Sequence, residues 1–276
     1  MACADEGSAK TSLMPYKMLG SRVPQTRITR SATIGEPCRT NRGPINQTRA
    51  LMLINMNNVI LMEGCMEPFL RGRIDLAKSL ADGNPLASYA DVALILTAVL
   101  SACASIRWPG KGIDRKRFIE LLVSLSPADL RTSWVSIPAL VNQRFISGRD
   151  TPYGGGYHRQ NFRDDEIDLC LEEARTKYAS VPGDQLRKHS YASLIYEWLR
   201  CGYAHQYCPH ENITHIPPSS ANARVSYNRR LSMDGKQQVM MVYFHLDYLF
   251  LLADHHLSVL PSTASSCPSA WWIDQG

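Results

Sequence analysis

An arginine and a histidine, Arg200 and His205, lie five residues apart near the end of an amphipathic stretch, residues 190–205. Arginine is always cationic, and its planar guanidinium donates two parallel hydrogen bonds to phosphate oxygens. Histidine accepts or donates a proton near neutral pH. Together the two side chains could bind a phosphodiester, move the proton of a 2′-hydroxyl or of a leaving group, and stabilise a pentacoordinate phosphate without a metal ion.

The residues around this pair have the spacing of a single helix. One stripe, at i, i+4, i+7 and i+11, is formed by Leu194, Trp198, Cys201 and His205. Arg200 and His205 are about 140° apart around an ideal helix of 3.6 residues per turn, so they do not share a face. They can flank one cleft if the helix loosens near His205, or if a second copy of the helix packs across it. Pro209 is expected to end the helix.

The same spacing also has an ordinary interpretation. An Arg-x4-His pattern occurs by chance in many proteins, and function depends on a site rather than on one spacing. In that interpretation Arg200 forms a surface ion pair and His205 is a hydrogen-bonded histidine at a helix end. The spacing alone does not separate the two interpretations.

The surrounding sequence resembles a known superfamily. Residues 196–205, YEWLRCGYAH, resemble the Arg-x4-6-His helix of the HEPN superfamily, in particular its prokaryotic branch with an Arg-Cys-Gly-x-x-His version. Residues 107–118, RWPGKGIDRKRF, are similar to the loop and helix start of plasmid- and genome-encoded members of that branch. The resemblance extends over about residues 60–260.

This resemblance implies a mainly helical fold and a homodimer in which two Arg/His motifs face each other. It also implies a metal-independent ribonuclease of toxin–antitoxin, antiviral or RNA-processing type, with an antitoxin or other regulatory protein as a further partner. Arg200 would bind and stabilise the scissile phosphate, and His205 would act as the acid and base. Many active members have Asn, Asp or His directly after the arginine, where this chain has Cys201. A catalytically inactive scaffold or a module that binds RNA or protein is therefore the alternative.

Three aromatic side chains near the pair are candidate substrate-binding residues. They are Tyr203, Tyr207 and His210, which surround His205 in the sequence. No cofactor is expected. Cys201, His205, Cys208 and His210 suggest a zinc site, but their spacing matches no common zinc pattern, so we expect no metal. A zinc-stabilised interaction module stays as a third hypothesis.

The positive charge of the chain is concentrated near its beginning. Residues 1–60 contain eight Lys and Arg and three Asp and Glu, which accounts for the whole net charge of +5. The rest of the chain is balanced, so it lacks the broad basic face of a protein that attracts nucleic acid by bulk charge. We predict a loosely attached or disordered basic tail over residues 1–50, a helical domain over 51–260 and a C-terminal tail over 261–276.

Periodicity and capping signals place the elements of the domain. They predict helices over 69–80, 92–106, 114–125, from 126 onwards, 164–178, 190–205 and 244–256. Segments 224–228 and 237–244 flank Asp234-Gly235 and predict a hairpin. The expected fold class is therefore mainly α, a HEPN-like helical bundle with a small β-hairpin near the C-terminus.

The location of the protein is predicted from its apolar runs and its cysteines. The longest apolar run, residues 92–106, is shorter than the about 20 residues that cross a bilayer, so we interpret it as a buried helix rather than a membrane span. The eight cysteines are scattered through the chain, which is typical of reduced thiols in a cytoplasmic protein.

The loop over 144–163, which includes Tyr153–Arg159, is either an RNA contact or a surface insertion.

Overall fold

The computed structural model describes residues 66–83, 87–151, 160–216, 223–231, 238–259, 266–268 and 271. All of them belong to one compact unit, residues 51–276. Several predicted features lie outside the described residues: the basic segment 1–50, the loop Tyr153–Arg159, the turn Asp234-Gly235 and most of the tail 261–276.

The first three helices begin and end close to the predicted positions. In chain order they are α1 (residues 66–81), α2 (Tyr89–Arg107), α3 (Asp114–Leu125), α4 (Ile137–Asn142), α5 (Asp164–Ile167), α6 (Leu171–Lys177), α7 (Gly183–Lys188), α8 (Tyr191–Leu194), α9 (Cys201–Gln206) and α10 (Leu246–Ser258). Short 3-10 turns cover Ala128–Leu130 and Gly148–Asp150. A π-helical segment, Ile195–Arg200, joins α8 to α9.

Helix α2 is the centre of the core. The Ser88 backbone N–H donates to Asp91 Oδ2 at 2.7 Å, which caps the first turn of α2. By length and composition α2 could cross a membrane. In the fold it packs against α3, α10 and the π-helical segment, and Leu96, Leu100 and Cys103 have no exposed surface. These contacts cover the side chains of α2 that face the core, and 44% of its most apolar 18-residue window is buried.

A three-stranded antiparallel sheet lies beside the helices. Strand β2 (Val225–Leu231) pairs with β3 (Gln238–Phe244) along seven residues, so the predicted hairpin is confirmed. A third strand, β1 (Asn161–Arg163), pairs with the outer side of β2 and was not predicted. The described chain is thus mainly α with a small antiparallel sheet.

The helix predicted from residue 126 onwards is wrong. Only a 3-10 turn forms at Ala128–Leu130, and Arg131 then adopts a left-handed conformation with φ of 54°. Thr132 and Ser133 form a turn, and Trp134 and Val135 then pair with two distant parts of the chain. Val135 exchanges backbone hydrogen bonds with Leu169, and Trp134 O accepts from the Tyr191 N–H at 2.9 Å. These long-range bonds compete with helix formation and are invisible in the local sequence.

The helix predicted over 164–178 is also wrong, since it is two helices, α5 and α6. The chain becomes extended at Asp168, with φ of −89° and ψ of 159°. The Leu169 backbone pairs with Val135, and the Asp168 side chain turns into the core with only 5% of its surface exposed. The acidic residues that favour a helix start at Asp164 therefore support one turn only.

The Asp168 carboxylate is the centre of a buried polar cluster. Its Oδ2 accepts hydrogen bonds from the hydroxyls of Tyr191 and Tyr227, and its Oδ1 accepts from the Ile137 N–H at 3.0 Å. The Tyr227 hydroxyl is also 2.9 Å from Ser136 Oγ. Removal from water raises the pKa of Asp168 to about 7, because burial outweighs the stabilisation of the anion by these donors.

We predict that this carboxylate makes the protein less stable as the pH rises from about 4 to about 7. The folded state binds the Asp168 proton more tightly than the unfolded state, so the contribution is fully present below the unfolded pKa of about 4 and is lost as the group ionises. One pKa unit corresponds to about 1.4 kcal/mol, so the loss amounts to a few kcal/mol.

Urea unfolding of the wild type and of Asp168→Asn between pH 4 and pH 8 measures this loss. Asparagine keeps the size and does not titrate, so the difference in unfolding free energy between the two proteins should shift in favour of the variant with rising pH. A difference that stays constant across this range contradicts the prediction.

Candidate functional site

The helix that carries Arg200 and His205 is not a uniform α-helix. Residues 191–206, here called the motif helix, consist of α8, the π-helical segment and α9. The Cys201 N–H donates to Tyr196 O, five residues back, where an α-helix would use the fourth. π-Helical turns are rare in proteins, but those that occur are often found at functional sites. The prediction of a single α-helix over residues 190–205 is therefore wrong in its middle, where the helix is π-helical. This wider turn ends at Arg200.

Long-range contacts fix the start of the motif helix. The N–H groups of Tyr191 and Ala192 donate to Trp134 O and Thr132 O, each at 2.9 Å. Ser190 caps the first turn, where its side chain accepts from the Ser193 N–H. The first turns are buried as far as Tyr196. The position of Arg200 is therefore set from the buried end of the helix.

Arg200 is half-buried and lines a polar pocket of about 250 Å³. Its walls come from α2, α3 and the motif helix and consist of Ser101, Ala102, Ser105, Asp114, Arg117, Tyr196 and Arg200. The Arg200 guanidinium lies 5.3 Å from the centre of the Tyr196 ring, and its Nη1 is 3.9 Å from Cys201 Sγ. Among the described residues it has no carboxylate partner.

The two segments that carry the resemblance lie side by side. Arg115 Nε is 2.6 Å from Glu197 Oε1, and the rings of Phe118 and Tyr196 are 5.3 Å apart. Arg117 Nη1 donates to Trp108 O at 3.3 Å and to Gly110 O at 3.1 Å, which ties the loop before α3 to the pocket. The segment 107–118 and the motif helix therefore build one surface around Arg200.

His205 does not line this pocket. Its side chain is exposed, and it forms no hydrogen bond or ion pair within the part of the chain that the structure describes. Because α9 keeps the ordinary α-helical repeat after Arg200, the angle of about 140° between the two positions remains. One chain thus presents Arg200 in a pocket and His205 on an open surface.

The three candidate substrate-binding residues have different surroundings. Tyr203 is 3% exposed, with its ring 6.3 Å from that of Tyr89, so the ring is not accessible to a ligand. Burial raises its pKa to about 12. His210 is stacked on Trp198, with ring centres 4.5 Å apart and planes within 6°, and its Nδ1 accepts from the Asn212 N–H. Burial lowers the pKa of His210 and favours its neutral form.

Tyr207 is the exposed member of the three, with 56% of its surface accessible. Its hydroxyl donates a hydrogen bond to Asp91 at the start of α2. That bond, more than any other contact, lowers the pKa of Asp91 to about 2, and the same interaction raises the pKa of Tyr207. This bond connects the end of the motif helix to α2, while more than half of the Tyr207 surface stays accessible to solvent.

The proposed zinc ligands are not assembled. Within the described residues, no group of three or more His, Cys, Asp and Glu side chains is placed to hold a metal ion, and Cys201, His205, Cys208 and His210 are all described. His210 instead stacks on Trp198, and Cys201 contacts Arg200. The zinc hypothesis gains no support from this arrangement.

Sequence reasoning missed most of the pocket around Arg200. Tyr196 precedes Arg200 by four residues, and Asp114 and Arg117 have an i, i+3 spacing, so both local pairs were accessible from the sequence. No local signal places α3 against the motif helix, which begins 66 residues after α3 ends. The comparisons with known proteins do not supply it either: no family model matches the chain, and neither curated proteins nor solved structures give a significant match.

We predict that Gly202 is required for the chain to turn back after the motif helix. A Cβ atom at this position would lie 2.6 Å from Cys208 O and 3.1 Å from Pro209 Cα, and both are backbone atoms that no rotamer change can move. Gly202→Ala should therefore lower the free energy of unfolding by about 1–3 kcal/mol, as overpacking does.

Gly72→Ala is the matched control. Gly72 also lies inside a helix, but its added Cβ would meet no atom within 4 Å. Alanine should stabilise it by about 0.5–1 kcal/mol through helix propensity. Urea denaturation midpoints of both variants test the comparison, and stabilisation by both substitutions would contradict the clash at Gly202.

Proposed function

We propose that this protein is a metal-independent endoribonuclease that acts as a homodimer, with Arg200 and His205 of both chains forming a composite site. The observation that carries the proposal is the half-buried Arg200 guanidinium in a polar pocket, which has no carboxylate partner among the residues that the structure describes. A cation held without a carboxylate in a partly desolvated place is suited to bind an anion from outside the chain. A cytoplasmic location, a HEPN-like fold and a regulatory partner of antitoxin type belong to the same proposal.

The position of His205 supports a site shared between two chains. Within one chain it is exposed and lies outside the Arg200 pocket, so it does not serve that pocket directly. In a two-fold dimer the same patch of both chains meets, and residue i of one chain faces residue j of the other. Packing the motif helices across such an axis would bring His205 of one protomer to Arg200 of its partner.

The chemistry of such a site needs no metal. One His205 removes the proton of the ribose 2′-hydroxyl, and the 2′-oxygen attacks the adjacent phosphorus. Arg200 binds the non-bridging oxygens and stabilises the added negative charge of the pentacoordinate phosphate. The same His205, protonated in the first step, then donates a proton to the departing 5′-oxygen. The products are a 2′,3′-cyclic phosphate and a 5′-hydroxyl.

The alternative function is a catalytically inactive scaffold or binding module. It is favoured by Cys201, whose sulfur lies 3.9 Å from Arg200 Nη1 in place of an Asn, Asp or His side chain. A pocket with Arg200 alone would bind a phosphate group without moving a proton. Stable RNA binding without cleavage distinguishes this function from the nuclease.

Cleavage of single-stranded RNA in the presence of EDTA tests the nuclease. The wild type should cleave and leave 2′,3′-cyclic phosphate ends, whereas Arg200→Ala and His205→Ala should each lose activity by about 100-fold or more, the usual contribution of such groups. Arg73→Ala and His215→Ala are controls, since both side chains are exposed and outside the Arg200 pocket. Equal cleavage by the wild type and both site variants would reject the site.

Mixing the two inactive variants tests the shared site. If each site takes Arg200 from one chain and His205 from the other, a heterodimer of Arg200→Ala and His205→Ala contains one intact site. Random exchange makes half of the dimers mixed, so the mixture should recover about a quarter of the wild-type activity. No recovery after confirmed subunit exchange would contradict an Arg/His pair formed across the interface.

A further inference from the structure

The pocket beside Arg200 contains a second arginine that the proposed reaction does not use. Arg117 lies on α3, has 14% of its side chain exposed and lines the same pocket. Two of its contacts are backbone carbonyls, Trp108 O and Gly110 O, which neutralise no charge. Its third partner is Asp114, one helical turn earlier on the same helix. The pocket therefore has two guanidinium groups on different elements.

The charges of the pocket do not cancel. Asp114 pairs with Arg117, while Arg200 has only the Tyr196 ring and the Cys201 sulfur as partners within the described chain. One positive charge therefore remains. Asp114 is the more exposed member of its pair, with 56% of its side chain accessible against 14% for Arg117. Because water can solvate the released Asp114 carboxylate, Arg117 can exchange it for another anion.

The neutral groups of the pocket agree with an anionic ligand of small size. The Ser101 hydroxyl donates to Thr97 O, and the Ser105 hydroxyl donates to Ser101 O. Both hydroxyl hydrogens are therefore used inside α2 and would have to rotate to reach a ligand. Recognition of charge thus depends on the two arginines. The volume of about 250 Å³ is below the usual range for drug-sized ligands and suits a phosphate group with part of a sugar.

We infer that Arg117 and Arg200 together bind one phosphate group of an RNA strand, and that Asp114 competes with this phosphate for Arg117. The inference rests on the proposed function for its substrate class, RNA. Two guanidinium groups can bind different oxygens of one phosphate, so the pocket fixes the position of the strand as well as its charge. Arg117 is thereby a substrate-binding residue. Asp114 lowers the affinity of Arg117 for the phosphate, because it pairs with the same guanidinium.

Binding measurements by isothermal titration calorimetry test this inference without any need for cleavage. The probes are inorganic phosphate and a dinucleoside monophosphate with a 2′-deoxyribose at the cleavable position, and the uncharged nucleoside is the blank. Both phosphate probes should bind the wild type. Arg117→Gln and Arg200→Gln should each weaken binding about tenfold or more, as the loss of a charge-assisted hydrogen bond does.

Asp114→Asn gives a change in the opposite direction. It removes the competing carboxylate and leaves Arg117 in place, so both probes should bind several-fold more tightly. A loss of folding in Arg117→Gln cannot imitate this gain. Arg115→Gln is the matched control: Arg115 is two residues from Arg117 on the same helix, but it pairs with Glu197 and does not line the pocket. Arg115→Gln should bind like the wild type.

The outcomes separate this inference from the nuclease. The inference is supported if phosphate binding weakens in Arg117→Gln and Arg200→Gln and strengthens in Asp114→Asn. If neither the wild type nor any variant then cleaves RNA, only the nuclease proposal fails. Cleavage that needs Arg200 and His205, with phosphate affinity unchanged by Arg117→Gln and Asp114→Asn, overturns the inference and leaves the nuclease. Binding of inorganic phosphate without the dinucleotide overturns its assignment to RNA.

Discussion

A carboxylate buried without a cationic partner among the described residues determines how the parts of this fold meet. Asp168 joins the first residue of the motif helix through Tyr191, the middle of the sheet through Tyr227, and the start of α4 through the Ile137 N–H. A buried polar group is costly unless each bonding capacity is satisfied, so the three elements can take only arrangements that keep these donors on it. The cluster thus orients the helix whose other end carries Arg200.

How far the sequence predicts this fold depends on the distance between interacting residues. Helices α2 and α3 follow from apolar periodicity, with a capping box before α2, and the pairing of β2 with β3 follows from an Asp-Gly turn signal. These signals act within a few positions of the chain. The break at Asp168 follows from Val135, Tyr191 and Tyr227, and only the fold brings these residues together. Local propensity favours a helix through residue 168, and tertiary hydrogen bonds override it.

The candidate site likewise has one part that the sequence indicates and another part that only the folded structure shows. The motif identifies Arg200 from residue type and spacing, but it does not reveal that the π-helical turn ends there or that His205 points to open solvent. It also does not indicate Arg117, because the contact of α3 with the motif helix depends on packing such as that of Phe118 against Tyr196. A short motif therefore identifies a reactive side chain, whereas the residues that surround this side chain are known only from the folded structure.

The distribution of charge limits how a nucleic acid could be held. Since residues 61–276 are electrically balanced, the domain gives little long-range attraction for a polyanion, and affinity has to arise at contact distance. The Arg200 pocket meets this condition, since Arg200 has no carboxylate partner in the described part of the chain and Arg117 is only partly neutralised by an exposed carboxylate. Under the proposed function, a strand bound through one such pocket contacts a single cationic site, and a two-fold dimer would offer two. Dimer formation would then contribute to substrate affinity as well as to catalysis, because two linked sites bind one strand more tightly than either does alone.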